Sequence, residues 1–273
     1  KQHGKSLAEL VGAVVEVEPP ASAPYPVSLV IDSTHDAGAT LDALPSATLA
    51  ALTVVKLKVG DDMAEALERL TAARSRLGAD VAVALDANAS WNPVQALGWA
   101  RRLADTGISW VEEPFPPRSW GDIALLTRRG VPVMLDESFR GEDDLHHAAR
   151  ADVAAVNLRV SKCGGPLRTA RLHAIARAKG IRCQLGVQVG EVGPLWAAGR
   201  ALAGILPDLL AIEAGRQDEW FPTPLTEPRF SIDRAAYLAR PVGGHGHGVA
   251  PSDALLPHLQ PVLERDAEAA ATQ

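Results

Sequence analysis

The stretch VAVALDANASWNPVQALGWARRLADTGISWVEEPF, residues 81–115, decides the fold, because it holds one whole structural period of the chain. Its opening, VAVALD, is a short apolar run that ends on Asp86. Asn92 then stands where an N-cap side chain accepts backbone N–H groups, Pro93 takes the first helical position, and Gly107 stops the helix. A second apolar run, ISWVE, follows and ends on Glu112. Strand, helix and strand are spelled out in order, each with its own punctuation.

Runs of the same kind recur along the chain: PVSLVID, TVVKLKV, VAVALDA, ISWVEEP, VPVMLDE, VAAVNLR, IRCQLGV and LLAIEAG. Their starts lie roughly 22 to 28 residues apart, room for a strand, a helix and two loops and too long for hairpins. The intervening DDMAEALERLTAARSRLG puts Met63, Leu67 and Leu70 on one helical stripe, with acids in its first turn and a glycine at its end. GPLRTARLHAIARAKG repeats the scheme. Eight alternating units predict an α/β fold whose parallel strands close into a barrel. A large open doubly wound sheet is the alternative, but no run is followed by GxGxxG or GxxxxGK[ST], so a nucleotide-binding version has no support. The last segment, from RPVGGHGHG onward, falls outside the repeat and is expected to pack on the barrel or on an N-terminal element.

A chain of 273 residues, 47% hydrophobic, suffices for one barrel of roughly 250 residues. The formal net charge of -6, the absence of a basic stripe and an aromatic content of 4% argue against nucleic acid as a partner. No run approaches the roughly 20 apolar residues of a membrane span. Cys163 and Cys183 belong to no CxxC pair, so neither a disulfide framework nor a structural zinc site is indicated, and a cytoplasmic address is expected. The opening KQHGKSLAELVGA has no methionine, apolar h-region or cleavage pattern, and is read as the continuation of something longer.

Chemistry in such a barrel sits where the strands end, so the polar residues that close apolar runs are the informative ones. Three successive runs close on acids: Asp86, Glu112 and Asp136. Barrel closure brings these carboxylates to one mouth, where their repulsion is relieved by a hard divalent cation such as Mg²⁺. Taken singly, each acid is as readily a helix cap or an ion-pair partner. Asn88, Glu113 and Glu137 are candidates for supporting these ligands. In the preceding run Lys56 and Lys58, two residues apart, share a strand face. Crowding by Lys56 and the cation is expected to lower the pKa of Lys58, fitting it to accept a proton, while Lys56 stays charged and holds a substrate carboxylate. Two snorkelling lysines are the plainer alternative. Across the mouth Arg159 shares a face with Asn157; too basic to act as a base, it can stabilise an anion. Gln188, Glu191 and Glu213, after the last two runs, are substrate-contact candidates, with Glu191 read either as a general acid or as a cap on the helix beginning GPLWAAGRALA. His35, His245 and His247 carry no site.

KLKVG, LDANASW, VEEPF, LDES and NLRVSKCGG, in this order on successive runs, resemble the enolase superfamily, nearest to its muconate-lactonizing (mandelate racemase/muconate lactonizing enzyme) branch. The resemblance implies a (β/α)₇β-type barrel beneath an α+β capping domain that is largely missing from this chain. Residues 1–26 would end the cap and its linker, 27–240 would be the barrel, and 241–273 would return to the cap. It further implies Mg²⁺, with Mn²⁺ as a substitute, held by Asp86, Glu112 and Asp136, and Lys58 as the base that takes a proton α to the carboxylate of a small substrate. A homo-oligomer is the expected assembly. Where the branch usually carries a lysine, this chain has Arg159, and the DxD of dipeptide epimerases is absent from AIEAG. Lyase or cycloisomerase chemistry of the muconate cycloisomerase or o-succinylbenzoate synthase type, which needs one base and a fixed cation, is therefore the expectation. A racemase or epimerase is its enzymatic rival, and a non-catalytic binding barrel the rival of another class.

Overall fold

A computed structural model describes residues 4–17, 23–213, 215 and 221–258. Of the terminal segments set apart above, residues 1–3, 18–22 and 259–273 lie outside the described residues. A short strand β1 (Tyr25–Pro26) leads into eight parallel strands that pair in sequence order. These are β2 (Leu29–Ile31), β3 (Val54–Lys58), β4 (Ala82–Asp86), β5 (Trp110–Glu112), β6 (Val133–Leu135), β7 (Ala155–Leu158), β8 (Arg182–Leu185) and β9 (Leu209–Ile212). Each lies inside one of the eight apolar runs of the sequence. The sheet closes on itself: Ser28 donates its N–H to the Ile212 carbonyl at 2.8 Å and forms a parallel bridge with Glu213.

Helix α1 (Leu7–Val15) precedes the barrel, and seven crossovers carry α2 (Ala37–Asp42) with α3 (Ser46–Ala51), then α4 (Met63–Arg74), α5 (Pro93–Asp105), α6 (Trp120–Thr127), α7 (Glu142–Arg150), α8 (Pro166–Ala178) and α9 (Pro194–Ala203). Seven helical connections and a closing strand make the (β/α)₇β barrel. Local signals explain the boundaries. Asn92 accepts N–H groups from Val94 and Gln95 ahead of Pro93, and Gly107 ends that unit at φ 66°, a left-handed turn that glycine adopts without a Cβ clash. Asp62 caps α4 in the same way through Ala64 and Glu65.

Alternation along the strands separates two environments. Leu57, Leu85, Val111, Leu135, Leu158 and Leu185 point outward and are buried against the helices. Inward residues change character along the barrel axis. Toward the N-terminal ends of the strands Val54, Ala84, Trp110, Met134, Ala155 and Ala211 form a separate apolar cluster, and above it the inward positions are ionic or polar. Outside the barrel, β1 pairs with β11 (Leu238–Ala239), and β10 (Thr226–Glu227) with β12 (Ala250–Pro251). Lys5 and Leu7, at the start of α1, exchange backbone hydrogen bonds with Gly246, so the segment that follows the barrel meets the first helix. Among the described residues no helix is long and apolar enough to cross a membrane.

Candidate active site

Strand β3 delivers Lys56 and Lys58 to the inward face, and they differ in depth. Lys56 is 2% exposed; its Nζ lies 3.0 Å from Glu112 Oε2 and 3.7 Å from Asp86 Oδ2, and it donates to Glu213 Oε1. Burial alone would draw its pKa down, but Glu112, Glu213 and Asp86 together hold it well above the ordinary lysine value, so it is an ammonium ion. Lys58 ends the strand half-buried at the mouth, in register with Asp86. The next register pair, Asp86 with Glu112, puts two of the acids on adjacent strand ends.

Glu112 has no exposed surface and is held from three sides. Besides Lys56 it accepts Asn157 Nδ2 at 2.7 Å and Gln184 Nε2 at 3.4 Å. Burial would raise its pKa; Lys56, the Asn157 hydrogen bond and Arg159 more than offset that and keep it below the ordinary glutamate value. Gly186 makes this arrangement possible, because a Cβ there would fall 2.2 Å from Asn157 Oδ1. Asp86 accepts one hydrogen bond, from the Asn88 N–H at 3.2 Å, and its pKa is pushed up to about 6, chiefly by burial and then by the nearby Glu112 charge. Asp136 receives the Arg159 guanidinium and the Lys162 ammonium. Burial nevertheless pushes its pKa up to about 7, with Glu112 adding to the rise while Lys162 and Arg159 oppose it.

A second acid aims Asp136. The Glu113 carboxylate accepts the backbone N–H groups of Asp136 at 2.7 Å and Ser138 at 3.1 Å, and the Ser138 hydroxyl also donates to it. Ser138 Oγ in turn accepts the Arg118 N–H at 2.7 Å. The turn after β6 is therefore pinned by a buried side chain from the neighbouring strand.

Of the remaining candidates, Arg159 lies inward with Asn157, as their spacing implies, and also stands 4.0 Å from Glu112. Glu213 is engaged by Lys56 and by the Val187 N–H at 2.8 Å. Gln188 receives the Ser161 hydroxyl and lines a cavity of about 320 Å³ with Asp136, Glu137, Arg140, Arg159 and Lys162. Glu191 does not cap the following helix: α9 begins after Gly193 with no side-chain cap. Its buried carboxylate instead accepts the Ser161 N–H at 2.6 Å and the Gln188 N–H at 3.0 Å, and so clasps the loops after β7 and β8.

Sequence reasoning gives no role to three contributors. Lys162 bonds the Asp136 carbonyl at 2.7 Å and the Asn157 carbonyl at 3.0 Å besides the Asp136 carboxylate, but it sits in a loop where strand alternation no longer aims side chains. Gln184 had a signal, as the one uncharged polar side chain inside IRCQLGV. Val30, in register with Lys56, is 38% exposed and gives the mouth an apolar wall on β2. The cations already face the acids: among the described residues no group of three or more His, Cys, Asp or Glu side chains is arranged to hold a metal ion.

Residues 41–255 match the family model described as Enolase C-terminal domain-like. Muconate cycloisomerase 1 of Pseudomonas putida is 34% identical over 150 residues, 53% of this chain and 40% of that protein. N-succinyl-L-Arg/Lys racemase of Bacillus cereus is 31% identical over 137 residues, 49% of this chain and 37% of that protein. The matched stretches thus span well under half the length of these curated relatives. The crystal structure of a muconate cycloisomerase from Azorhizobium caulinodans superposes with a TM-score of 0.78 at 27% identity, covering 94% of this chain and 71% of that one. With the barrel and the order of its strand-end residues already in hand, the match places the chain in the Enolase C-terminal domain-like family, on the mandelate racemase/muconate-lactonizing branch of the enolase superfamily.

Proposed function

We propose that this barrel is the catalytic part of a Mg²⁺-dependent enzyme that removes a proton α to a carboxylate and carries the enediolate on to a lyase or cycloisomerase product. The observation behind the reading is the set of three carboxylates at successive strand ends, Asp86, Glu112 and Asp136, with Lys58 in register beside the first. The donor chemistry suits a hard cation, since all three are oxygen donors and Asp86, buried with a single hydrogen bond, keeps most of its lone pairs free; Asp136 and Glu112 would exchange contacts with Arg159, Lys162 and Lys56 for the ion. Mg²⁺ or Mn²⁺, when held by these three, supplies positive charge for the oxygens of a substrate carboxylate.

The chain's own residues do the rest. Lys58, at the mouth and reachable from solvent, takes the α-proton on Nζ. Lys56, expected from its strand face to hold the substrate carboxylate, is instead occupied by Glu112, Glu213 and Asp86 and nearly sealed; it stays charged beneath Lys58, and its positive potential favours the charge that develops as the carbon is deprotonated. Arg159 and Lys162 keep Asp136 in place and lend the opposite wall a cationic character suited to an anion. Glu113 and Asn157 fix the carboxylates from behind, and Val30 turns an apolar surface toward the substrate.

Racemisation is the second reading, favoured by the likeness to the Bacillus cereus racemase. Incubation in D₂O with a panel that includes muconate, N-succinyl-L-lysine and dipeptides separates the two. One-base chemistry puts deuterium on a single face of the α-carbon and is lost in Lys58→Ala with the fold retained. Deuterium on both faces supports racemisation, and exchange that survives Lys58→Ala overturns the assignment of the base.

A further inference from the structure

The other end of the barrel holds a second cavity, of about 370 Å³, lined by residues at the starts of the strands, among them Thr53, Val54, Ala82, Trp110, Arg182 and Leu210. It opens away from the site described above. Barrel interiors are ordinarily filled by bulky branched side chains. Here three of the six residues in the apolar cluster beneath the cavity are alanines, Ala84, Ala155 and Ala211, and two further alanines, Ala82 and Ala154, line the cavity itself. Side chains as small as those of Ala82 and Ala154 leave wall surface that gains no packing contacts from the protein itself.

Two polar groups make the cavity more than a packing fault. Trp110 is 1% exposed, and its indole Nε1 has no hydrogen-bond partner among the described residues. A buried N–H without an acceptor is costly, and buried indoles usually find one. Arg182, in register with Ala155 and exposed, brings a guanidinium to the rim and has no hydrogen-bond or ion-pair partner for its side chain among the described residues. Both groups are donors without a protein acceptor, the indole buried and the guanidinium open to water, and Val54, Ala82 and Leu210 give the same cavity an aliphatic wall.

We propose that this end of the barrel binds a small aliphatic carboxylate. Its oxygens supply the acceptor that Trp110 lacks and an ion-pair partner for Arg182, and its chain covers the aliphatic wall. The site is independent of the reaction proposed above, since it uses none of those residues and faces the opposite end of the strands.

The test uses the whole chain labelled with ¹⁵N at the tryptophan indoles, which gives six indole signals, with octanoate as the probe. The Trp110 signal is the one missing from Trp110→Phe. If that variant does not fold, a spin label on Thr53→Cys identifies the signal by broadening, because Cys163 and Cys183 are buried and escape labelling. The expected result is a saturable shift of the Trp110 signal that is blocked by Ala82→Phe. Arg182→Gln should weaken octanoate about fivefold, the effect of one solvent-screened charged contact, and leave octan-1-ol unchanged. Equal movement of all the indoles, no movement at millimolar octanoate, or indifference to Ala82→Phe and Arg182→Gln overturns the proposal.

Discussion

Replacing Lys56 by methionine keeps much of the side-chain volume and deletes one charge, and the structure says what that charge does. Its Nζ serves Glu112, Glu213 and Asp86 at once, and Glu112 has no access to water. The variant strands buried carboxylates rather than removing a pair, a situation that destabilises by about 3–5 kcal/mol. For a chain of this size about 4 kcal/mol corresponds to a fall in Tm of roughly 8–16 °C. Urea unfolding followed by far-UV circular dichroism, with calorimetry alongside, measures it. Glu213→Gln added to Lys56→Met removes one stranded charge, so the double variant should be more stable than the sum of the single losses by about 1.5 kcal/mol or more. The deficit should also shrink as the pH falls toward the carboxylate range, where the stranded acids take up protons. A loss below about 1 kcal/mol, or strict additivity with Glu213→Gln, refutes the view that Lys56 is the counter-ion of the barrel floor.

Gly186→Ala places a methyl group where Asn157 Oδ1 now lies, so Asn157 must swing off Glu112. A Tm well below wild type and loss of the Asn157–Glu112 contact in a crystal structure are expected; an unchanged Tm contradicts the packing argument. His173 is buried and donates its Nε2–H to the Pro207 carbonyl oxygen at 3.0 Å, and its pKa is lowered chiefly by burial, with that carbonyl opposing and Arg177 assisting. The unfolded chain therefore takes up this proton at a higher pH than the folded one. The stabilisation is present above the unfolded value of about 6.5 and is lost as the pH falls below it. Compared with His173→Gln, the wild type should lose stability between about pH 7 and pH 5 in denaturant titrations; parallel curves contradict this.

The barrel is legible in the sequence because each run carries two messages. Leu57, Leu85 and Leu135 mark the outward face, and Lys58, Asp86 and Glu112 mark the inward one at the strand ends. The shared face of Lys56 and Lys58 and that of Asn157 and Arg159 follow from a period of two. Depth does not follow from it. Lys56 is sealed by Glu213, 157 residues further on, which reaches it only because the last strand closes against Ser28. Loop residues escape for a related reason. Glu191 reads equally as an acid or a cap, yet its carboxylate is spent on backbone N–H groups of two loops whose approach no local pattern records. Glu113 looks like a duplicate of Glu112, and only the left-handed backbone at φ 34° turns it away to pin the turn at Ser138.

Calorimetric titration of Mg²⁺ into the wild type and into Asp86→Asn and Asp136→Asn tests the central claim most directly, since it needs no substrate. One ion per chain in the wild type, with binding sharply weakened in both variants while their melting stays cooperative, is the expected result. Failure of the wild type to bind the ion, or binding indifferent to both substitutions, would leave a barrel used for binding alone and contradict the account.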